Sequence, residues 1–263
     1  MDTISDFSGT AQTAMLRDYL SAAAGSSAIQ RVRATGLAMW AVGGGRLLDV
    51  GCGNGEVARE LSALLPDAEV TAVDHSADAI ATAAGLHDGS RVTYEVGDVY
   101  DLPYPDGHFD GVRSERVLQH LADPDRAVAG MARVLRPGGR LCLIDTDWQS
   151  LQLDGSPERL HDGGMELFAE WQGKFRSVVS PPSGRTLRRR LVEAGLTDVR
   201  TEPVTLVFTD LDEARPVMPF GPEMFESVGM ADRAAGWLAD LDRAVADGTF
   251  LVTLTMWVAA GTR

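Results

Sequence analysis

The sequence has almost no lysine. Lys174 is the only one, so arginine supplies nearly all the positive charge. Cysteine is equally scarce: Cys52 and Cys142 are the two in 263 residues. They are too few for a disulfide framework and show no metal-ligand spacing, so no metal site is expected. No apolar run reaches the roughly 18 residues of a membrane-spanning helix. Met1-Asp2-Thr3 opens without the basic patch and apolar stretch of a secretory leader. The reducing cytoplasm is the simplest compartment. A positive charge balance is missing too. The formal net charge is −14, a field that repels phosphate backbones and argues against a nucleic-acid partner. It leaves a cationic or neutral small molecule open.

What is present fits one α/β domain. The length suits a single domain with insertions, and 44% apolar residues can supply its core. Residues 10–24 and 27–41 read as helices broken at Gly25-Ser26. A regular alternation follows, with strands predicted at Arg46–Val50, Glu69–Asp74, Arg91–Val96, Phe109–Arg113 and Arg140–Asp145. Helices are predicted between them over 56–65, after Ser76, over Glu115–Leu121 and from Asp123-Pro124 onward, where Asp is an N-cap and Pro the first helical residue. This order predicts a mainly parallel, doubly wound sheet. Further on, helical spacing recurs near Met165–Lys174, Leu187–Ala194 and 232–246, and strands are expected at Val199–Thr209 and Phe250–Ala260. The stretches 150–182 and 210–249 are long for plain loops and are expected, with the N-terminal helices, to cover a substrate pocket.

The stretch Leu47-Leu48-Asp49-Val50-Gly51-Cys52-Gly53-Asn54-Gly55 is a strand, a tight glycine turn and a helix start. Such a turn lets backbone approach a ligand closely. A dinucleotide fingerprint wants Gly or Ala where Glu56 stands, and an acidic side chain there opposes a pyrophosphate. The Walker loop is excluded because no Gly-Lys-Ser/Thr follows. A sulfonium nucleotide carries no phosphate and tolerates Asp49 and Glu56. Asp74, ending the second strand, suits two ribose hydroxyls. Asp98, in Gly97-Asp98-Val99, can accept from an adenine amino group; a turn role is its competitor.

Together LLDVGCGNG, AVDHS, GDVYDLPYPDGHFDGV, SERVLQHLADP and VLRPGGRL resemble the class I S-adenosylmethionine (SAM)-dependent methyltransferases, in their ubiquinone/menaquinone-type (methyltransferase type 11) branch. The matching segments cover about residues 30–148. The resemblance implies a seven-stranded Rossmann-like sheet, mostly parallel with an antiparallel last strand, plus helical lid insertions. It implies one domain over 1–263, with N-terminal helices in 1–42, a SAM-binding core over 46–148, and substrate-covering insertions at 150–182 and 210–249. It also implies SAM as cofactor, S-adenosylhomocysteine as product, a small-molecule acceptor, and a monomer or homodimer. By position, Asp49, Gly51, Cys52, Gly53 and Gly55 would surround the methionine part of SAM. Asp74 would hold the ribose, with His75 beside the adenine, and Asp98 and Val99 would meet the adenine edge. Ser114 would lie near the methionine moiety. Arg33 is the candidate for the SAM carboxylate, with Arg31 as the competing choice.

The acceptor side is less legible. His120, Asp147 and His161 are the candidate proton acceptors, and Asp145 lies beside Asp147 at the expected carboxyl edge. Trp148, Trp171 and Phe175 fall in the expected lid, where core packing competes with substrate contact. Arg116 departs from relatives that carry an apolar or small residue; it could bind an acidic substrate or pair with Glu115 or an aspartate. Arg188-Arg189-Arg190 reads as a solvated helix face. The expected activity is methyl transfer to an oxygen, nitrogen or carbon atom of a small molecule. The arginine bias and the helical insertions point to bacterial specialised metabolism. The alternatives are a SAM-binding cyclase or decarboxylase, a non-catalytic SAM-binding partner, and an NAD-dependent dehydrogenase, which Glu56 disfavours.

Overall fold

The computed structural model describes residues 23, 25–86, 89–154, 160–175, 180–218 and 221–263. The helix expected over 10–24 falls almost wholly outside them, as do parts of the 150–182 and 210–249 stretches and the side chain of Phe175. The strands are β1 (Arg46–Val50), β2 (Glu69–Asp74), β3 (Val92–Val96), β4 (Phe109–Glu115), β5 (Leu135–Asp154), β6 (Thr197–Phe208) and β7 (Leu251–Thr262). They form one sheet in the order β3-β2-β1-β4-β5-β7-β6. Strands β1 to β5 pair in parallel, and β7 runs antiparallel between β5 and β6. From β1 the chain winds outward to β3, then returns to β4 on β1's other side. That reversal opens a crevice at the carboxyl ends of β1 and β4, the usual ligand position in such sheets.

Helices cover both faces, so the inner strands are apolar on both sides. Helices α1 (Ser27–Trp40), α2 (Glu56–Leu64) and α3 (Ala77–Gly85) pack on the face carrying Leu47, Ala72, Cys142 and Ile144. Helices α4 (Pro124–Val134) and α6 (Ser183–Glu193) pack on the face carrying Leu48, Val50, Leu141 and Leu143. Local signals set the helix starts. Ser76 Oγ accepts from Ala79 N at 3.2 Å, and Asp123 Oδ1 accepts from Arg126 N at 3.0 Å ahead of Pro124.

Two expectations change here. β5 does not stop at Asp145 but runs to Asp154, because β7 offers it an antiparallel partner past the parallel sheet. Asp147, expected past the end of the strand, and Trp148 and residues 150–154, expected in a lid, therefore belong to the strand. The helix expected over Glu115–Leu121 shrinks to a 3₁₀ turn, Leu118–His120. β4 continues to Glu115, and Gln119 N is captured by Asp145 Oδ2 at 2.9 Å, which fixes the short turn.

Beyond β5 lie α5 (Leu160–Phe175), α7 (Leu211–Ala214), α8 (Pro222–Glu226) and α9 (Ala231–Ala246). Rings bind this helical part together. Phe168 lies 5.1 Å from Trp148 and 5.7 Å from Trp171, centroid to centroid. Phe225 meets Trp237 edge-on at 6.1 Å, and Trp237 Nε1 donates to Leu160 O at 2.9 Å. The arginine run is not a uniformly solvated face. Arg190 is buried, donating to Thr186 Oγ1 at 3.0 Å and pairing with Asp125. The reason is α4, which packs alongside and carries Asp125.

Candidate functional site

The turn after β1 is built from glycine conformations. Gly51, Gly53 and Gly55 all have positive φ, at 74°, 52° and 74°, a region L-residues avoid. At Gly51 a Cβ would also collide with Val117 Cγ2, and at Gly55 one would sit 2.5 Å from Tyr94 Cε1. The loop is thus pressed against β3 on one side and the segment after β4 on the other. Gly51 N and Cys52 N both donate to Val73 O, at 2.8 and 3.1 Å.

Asp74 holds the loop from β2. Its Oδ2 accepts from Gly53 N and its Oδ1 from Ser76 N, each at 2.9 Å. His75 Nδ1 lies 3.2 Å from Oδ1, with its ring half-exposed. Burial opposes ionisation of Asp74, but the bonds from His75, Ser76 and Gly53 outweigh it and hold the carboxyl below its usual value. The same contact raises His75 against its own burial. Asp98 is exposed, and its Oδ1 accepts from Tyr100 N at 2.8 Å, so the turn role expected as its competitor is present. Val99 is half-buried beside it.

Asp49 is buried two residues before Gly51. Its Oδ2 has no hydrogen-bond partner among the described residues. Burial pushes its carboxyl up to about 6, with Arg113 pulling the other way. Asp49 pairs with Arg113 across the β1–β4 register, and Arg113 begins a buried charge chain. Its Nη2 donates to Glu115 Oε2 at 2.8 Å. On Glu115's other side, Arg33 Nε donates to Oε1 and Oε2 at 3.2 and 3.1 Å, and its Nη2 to Oε1 at 3.1 Å. Arg33 Nη1 reaches Glu60 Oε1 at 3.2 Å. Burial would raise the Glu115 pKa, but Arg113, Arg33 and Arg116 dominate and hold it at about 2. Arg33 is thus neither solvated nor free: it is 5% exposed and ties α1 to β4. Arg31 is exposed. Sequence reasoning names Glu115 only as a partner for Arg116, which lies 3.7 Å from it, and does not single out Arg113 or Glu60. A charged pair spaced i, i+2 inside an apolar strand was the available signal.

The remaining candidates lie outside this chain of charges. Ser114 points to the other face of β4 and donates to Val50 O at 2.9 Å. Cys52 is buried at the turn, and burial raises its thiol pKa. Asp147 is buried in a bidentate pair with Arg185, at 2.5 and 2.8 Å. Its neighbour Asp145 accepts from Gln119 N, Thr146 N and Ser183 Oγ, each at 2.9 Å, and burial raises it to about 6 despite these bonds. His161 Nδ1 accepts from Leu153 N at 3.1 Å. His120 ends the 3₁₀ turn, half-buried. Trp148 donates to Gln119 Oε1 at 2.6 Å, and both Trp148 and Trp171 are core residues of the helical part. The structure brings together the glycine turn, Asp49, Asp74 and Arg33's network. Asp147 and His161 are engaged by Arg185 and by Leu153 N.

SAM offers a sulfonium, an ammonium and a carboxylate. A buried carboxylate oxygen without a donor, beside a turn whose glycines leave no room for side chains, fits a cationic group. Asp49 and the loop therefore pass as a cradle for SAM, with Asp74 at the neighbouring strand end.

Comparison with known proteins agrees. The family model for a methyltransferase domain matches residues 48–143. The chain is 36% identical over 192 residues to a 27-O-demethylrifamycin SV methyltransferase of Amycolatopsis mediterranei, covering 70% of this chain and 64% of that one. It is 33% identical to the O-methyltransferase rstn1 of Aspergillus nomiae, covering 64% of this chain and 73% of that one. Among solved structures, the [4+2]-cyclase SpnF superposes with a TM-score of 0.57 at 26% identity, over 89% of this chain and 80% of that one. The chain spans between 60% and 66% of the length of the first three curated relatives it matches.

Proposed function

Because the chain belongs to the class I SAM-dependent methyltransferases, we propose that it moves a methyl group from SAM to an oxygen, nitrogen or carbon atom of a small molecule in bacterial specialised metabolism. The observation that carries this is the donor-free oxygen of buried Asp49 beside the glycine turn. SAM supplies an activated methyl group that leaves as its sulfonium charge is lost. The chain's own part is to bind, orient and exclude water. Asp49 and the turn at Gly51, Cys52, Gly53 and Gly55 hold the methionine end. Asp74 and His75 face the ribose and adenine, and Asp98 and Val99 lie along the adenine edge. Arg33 acts through Glu115, keeping α1 fastened over this end. The oxygen-methylating names of rifamycin and rstn1 relatives favour an oxygen acceptor. The helical stretches 160–175 and 221–249 cover the acceptor, with Trp148 and Trp171 packing beneath it.

No helix among the described residues is long and apolar enough to cross a membrane. A cytoplasmic monomer or homodimer, with no nucleic-acid partner, is the setting this reading takes. Calorimetry should show one S-adenosylhomocysteine site, weakened at least tenfold in Asp74→Ala. Absence of any binding to the unaltered protein sinks the reading.

The likeness to SpnF keeps a second reading in view, in which SAM is bound but not consumed. Conversion of SAM to S-adenosylhomocysteine with any acceptor separates the two, because a cyclase leaves SAM intact.

A further inference from the structure

Arg116 has an unusual backbone and an unusual charge environment. Its φ is +57°, a conformation that costs a β-carbon-bearing residue free energy and that folds retain mainly where function uses it. Two other non-glycine residues with positive φ have plain structural reasons. Ala41 is the left-handed C-cap of α1, and Asp198 lies at the register shift of β6. Arg116 caps no helix. It stands directly after β4, anchored by Arg116 N donating to Ile144 O at 2.8 Å. Its neighbour Val117 is the residue pressed against Gly51. Arg116 therefore sits at the carboxyl edge of the sheet, between the glycine turn and β5.

Its guanidinium has a long ion pair with Glu115, and its Nε has no hydrogen bond among the described residues. Glu115 is already satisfied by two guanidinium groups, Arg33 and Arg113, at 2.8 to 3.2 Å. Arg116 Nε lies 3.7 Å from Glu115 Oε1, beyond hydrogen-bond reach, and has no hydrogen-bond partner among the described residues. The side chain is 13% exposed. Asp145, the other nearby carboxylate, takes its hydrogen bonds from Gln119, Thr146 and Ser183. A buried guanidinium donor without an acceptor is costly unless a ligand supplies one. The chain's overall negative charge does not forbid an anionic ligand, since exposed charges are screened beyond about 8 Å at physiological salt.

We propose that Arg116 receives an anionic oxygen of the acceptor, a carboxylate or a phenolate, at the carboxyl end of β4. The assignment rests on the methyltransferase reading and deepens it. Arg116 is then a specificity residue. It selects acceptors bearing such a group and disfavours cationic ones, and its strained backbone is kept for that contact.

The test uses the full chain saturated with S-adenosylhomocysteine, titrated calorimetrically with benzoate, with 4-nitrophenolate at a pH where it is ionised, and with neutral benzamide. The unaltered protein should bind at least one of the two anions more tightly than benzamide; benzoate alone identifies a carboxylate site, 4-nitrophenolate alone a phenolate site. Arg116→Gln should weaken that anion at least tenfold and leave S-adenosylhomocysteine affinity within about twofold. Arg116→Lys should keep part of the anion binding. Arg116→Gly should fold, with a melting temperature equal to or above the unaltered protein's because the strain is relieved, and should lose the anion. The proposal is overturned if neither anion binds, or if Arg116→Gln binds them equally well. It is also overturned if Arg116→Gln weakens S-adenosylhomocysteine as much as the anion, which would place Arg116 on the cofactor. Failure of the unaltered protein to bind S-adenosylhomocysteine counts instead against the underlying reading.

Discussion

Two regions of this molecule share one apolar core and differ in the contacts added to it. Around the glycine turn, where β1 and β4 end, buried charges do the fastening: Asp49, Arg113, Glu115 and Arg33 form a chain from the sheet into α1. Across the antiparallel edge and the helices beyond it, rings take over, with Trp148, Phe168 and Trp171 in one group and Phe225 and Trp237 in another. Charges are directional, and each must be matched, so the first region tolerates little rearrangement. Apolar packing tolerates substitutions that keep its volume, so the second region accepts changes of side chain more readily than the first. The family model ends at residue 143, close to this division.

Three substitutions would break or sharpen the contrast. The largest effect is expected from Glu115→Gln. It leaves Arg33 and Arg113 buried without their shared carboxylate, which should cost about 3–5 kcal/mol. Urea unfolding measures this, and a loss below about 1 kcal/mol would mean that charge does not hold this half.

Asp49→Asn comes next. Loss of a charge-assisted contact should weaken SAM by about 1.5–3 kcal/mol, roughly ten- to hundredfold. The ligand-free protein should behave oppositely. Burial raises the folded pKa of Asp49 to about 6, above its unfolded value of about 3.9. Its stabilising contribution is therefore complete below about pH 4 and is lost as pH rises through about 6. Above that, the buried charge is a net cost of about 1–3 kcal/mol. Asn removes it, so the variant should be the more stable protein near neutral pH, with the gap closing toward about pH 4. Bound SAM favours the ionised carboxylate, so wild-type affinity should fall as pH drops through about 6. An affinity flat in pH from about 5 to 8 would sever Asp49 from the cofactor.

The smallest change is Trp237→Phe, which removes the donation to Leu160 O and some buried surface in the ring-packed half. It should cost about 1–2 kcal/mol while S-adenosylhomocysteine affinity stays within about twofold. A large loss of affinity would show that the two halves are coupled.

Much of the first half was legible because its signals are local. The turn at Gly51, Gly53 and Gly55 needs backbone conformations that glycine alone adopts freely, so the residues announce the geometry. Ser76 and Asp123 declare their helices by capping them. Where partners are distant in sequence, the reading stopped short. The end of β5 depended on β7, about a hundred residues away, so Asp147, expected past the strand's end, and Trp148, expected in a lid, are both strand residues. Arg33 is expected from sequence to meet the SAM carboxylate, and no local signal reveals its ion pair with Glu115, 82 residues off.

The sequence by itself determined that this chain has an alternating, doubly wound sheet, a glycine turn after β1 suited to SAM and not to a phosphate, and carboxylates at the strand ends beside it. Those features follow from backbone rules and from residue chemistry within a few positions. Tertiary structure alone decided which charges are matched and which are left over. Glu115 takes its hydrogen bonds from Arg33 and Arg113, while among the described residues an oxygen of Asp49 and the Nε of Arg116 have no hydrogen-bond partner. A charge acquires its meaning from what folding places within about 4 Å of it, and no local rule supplies that neighbour.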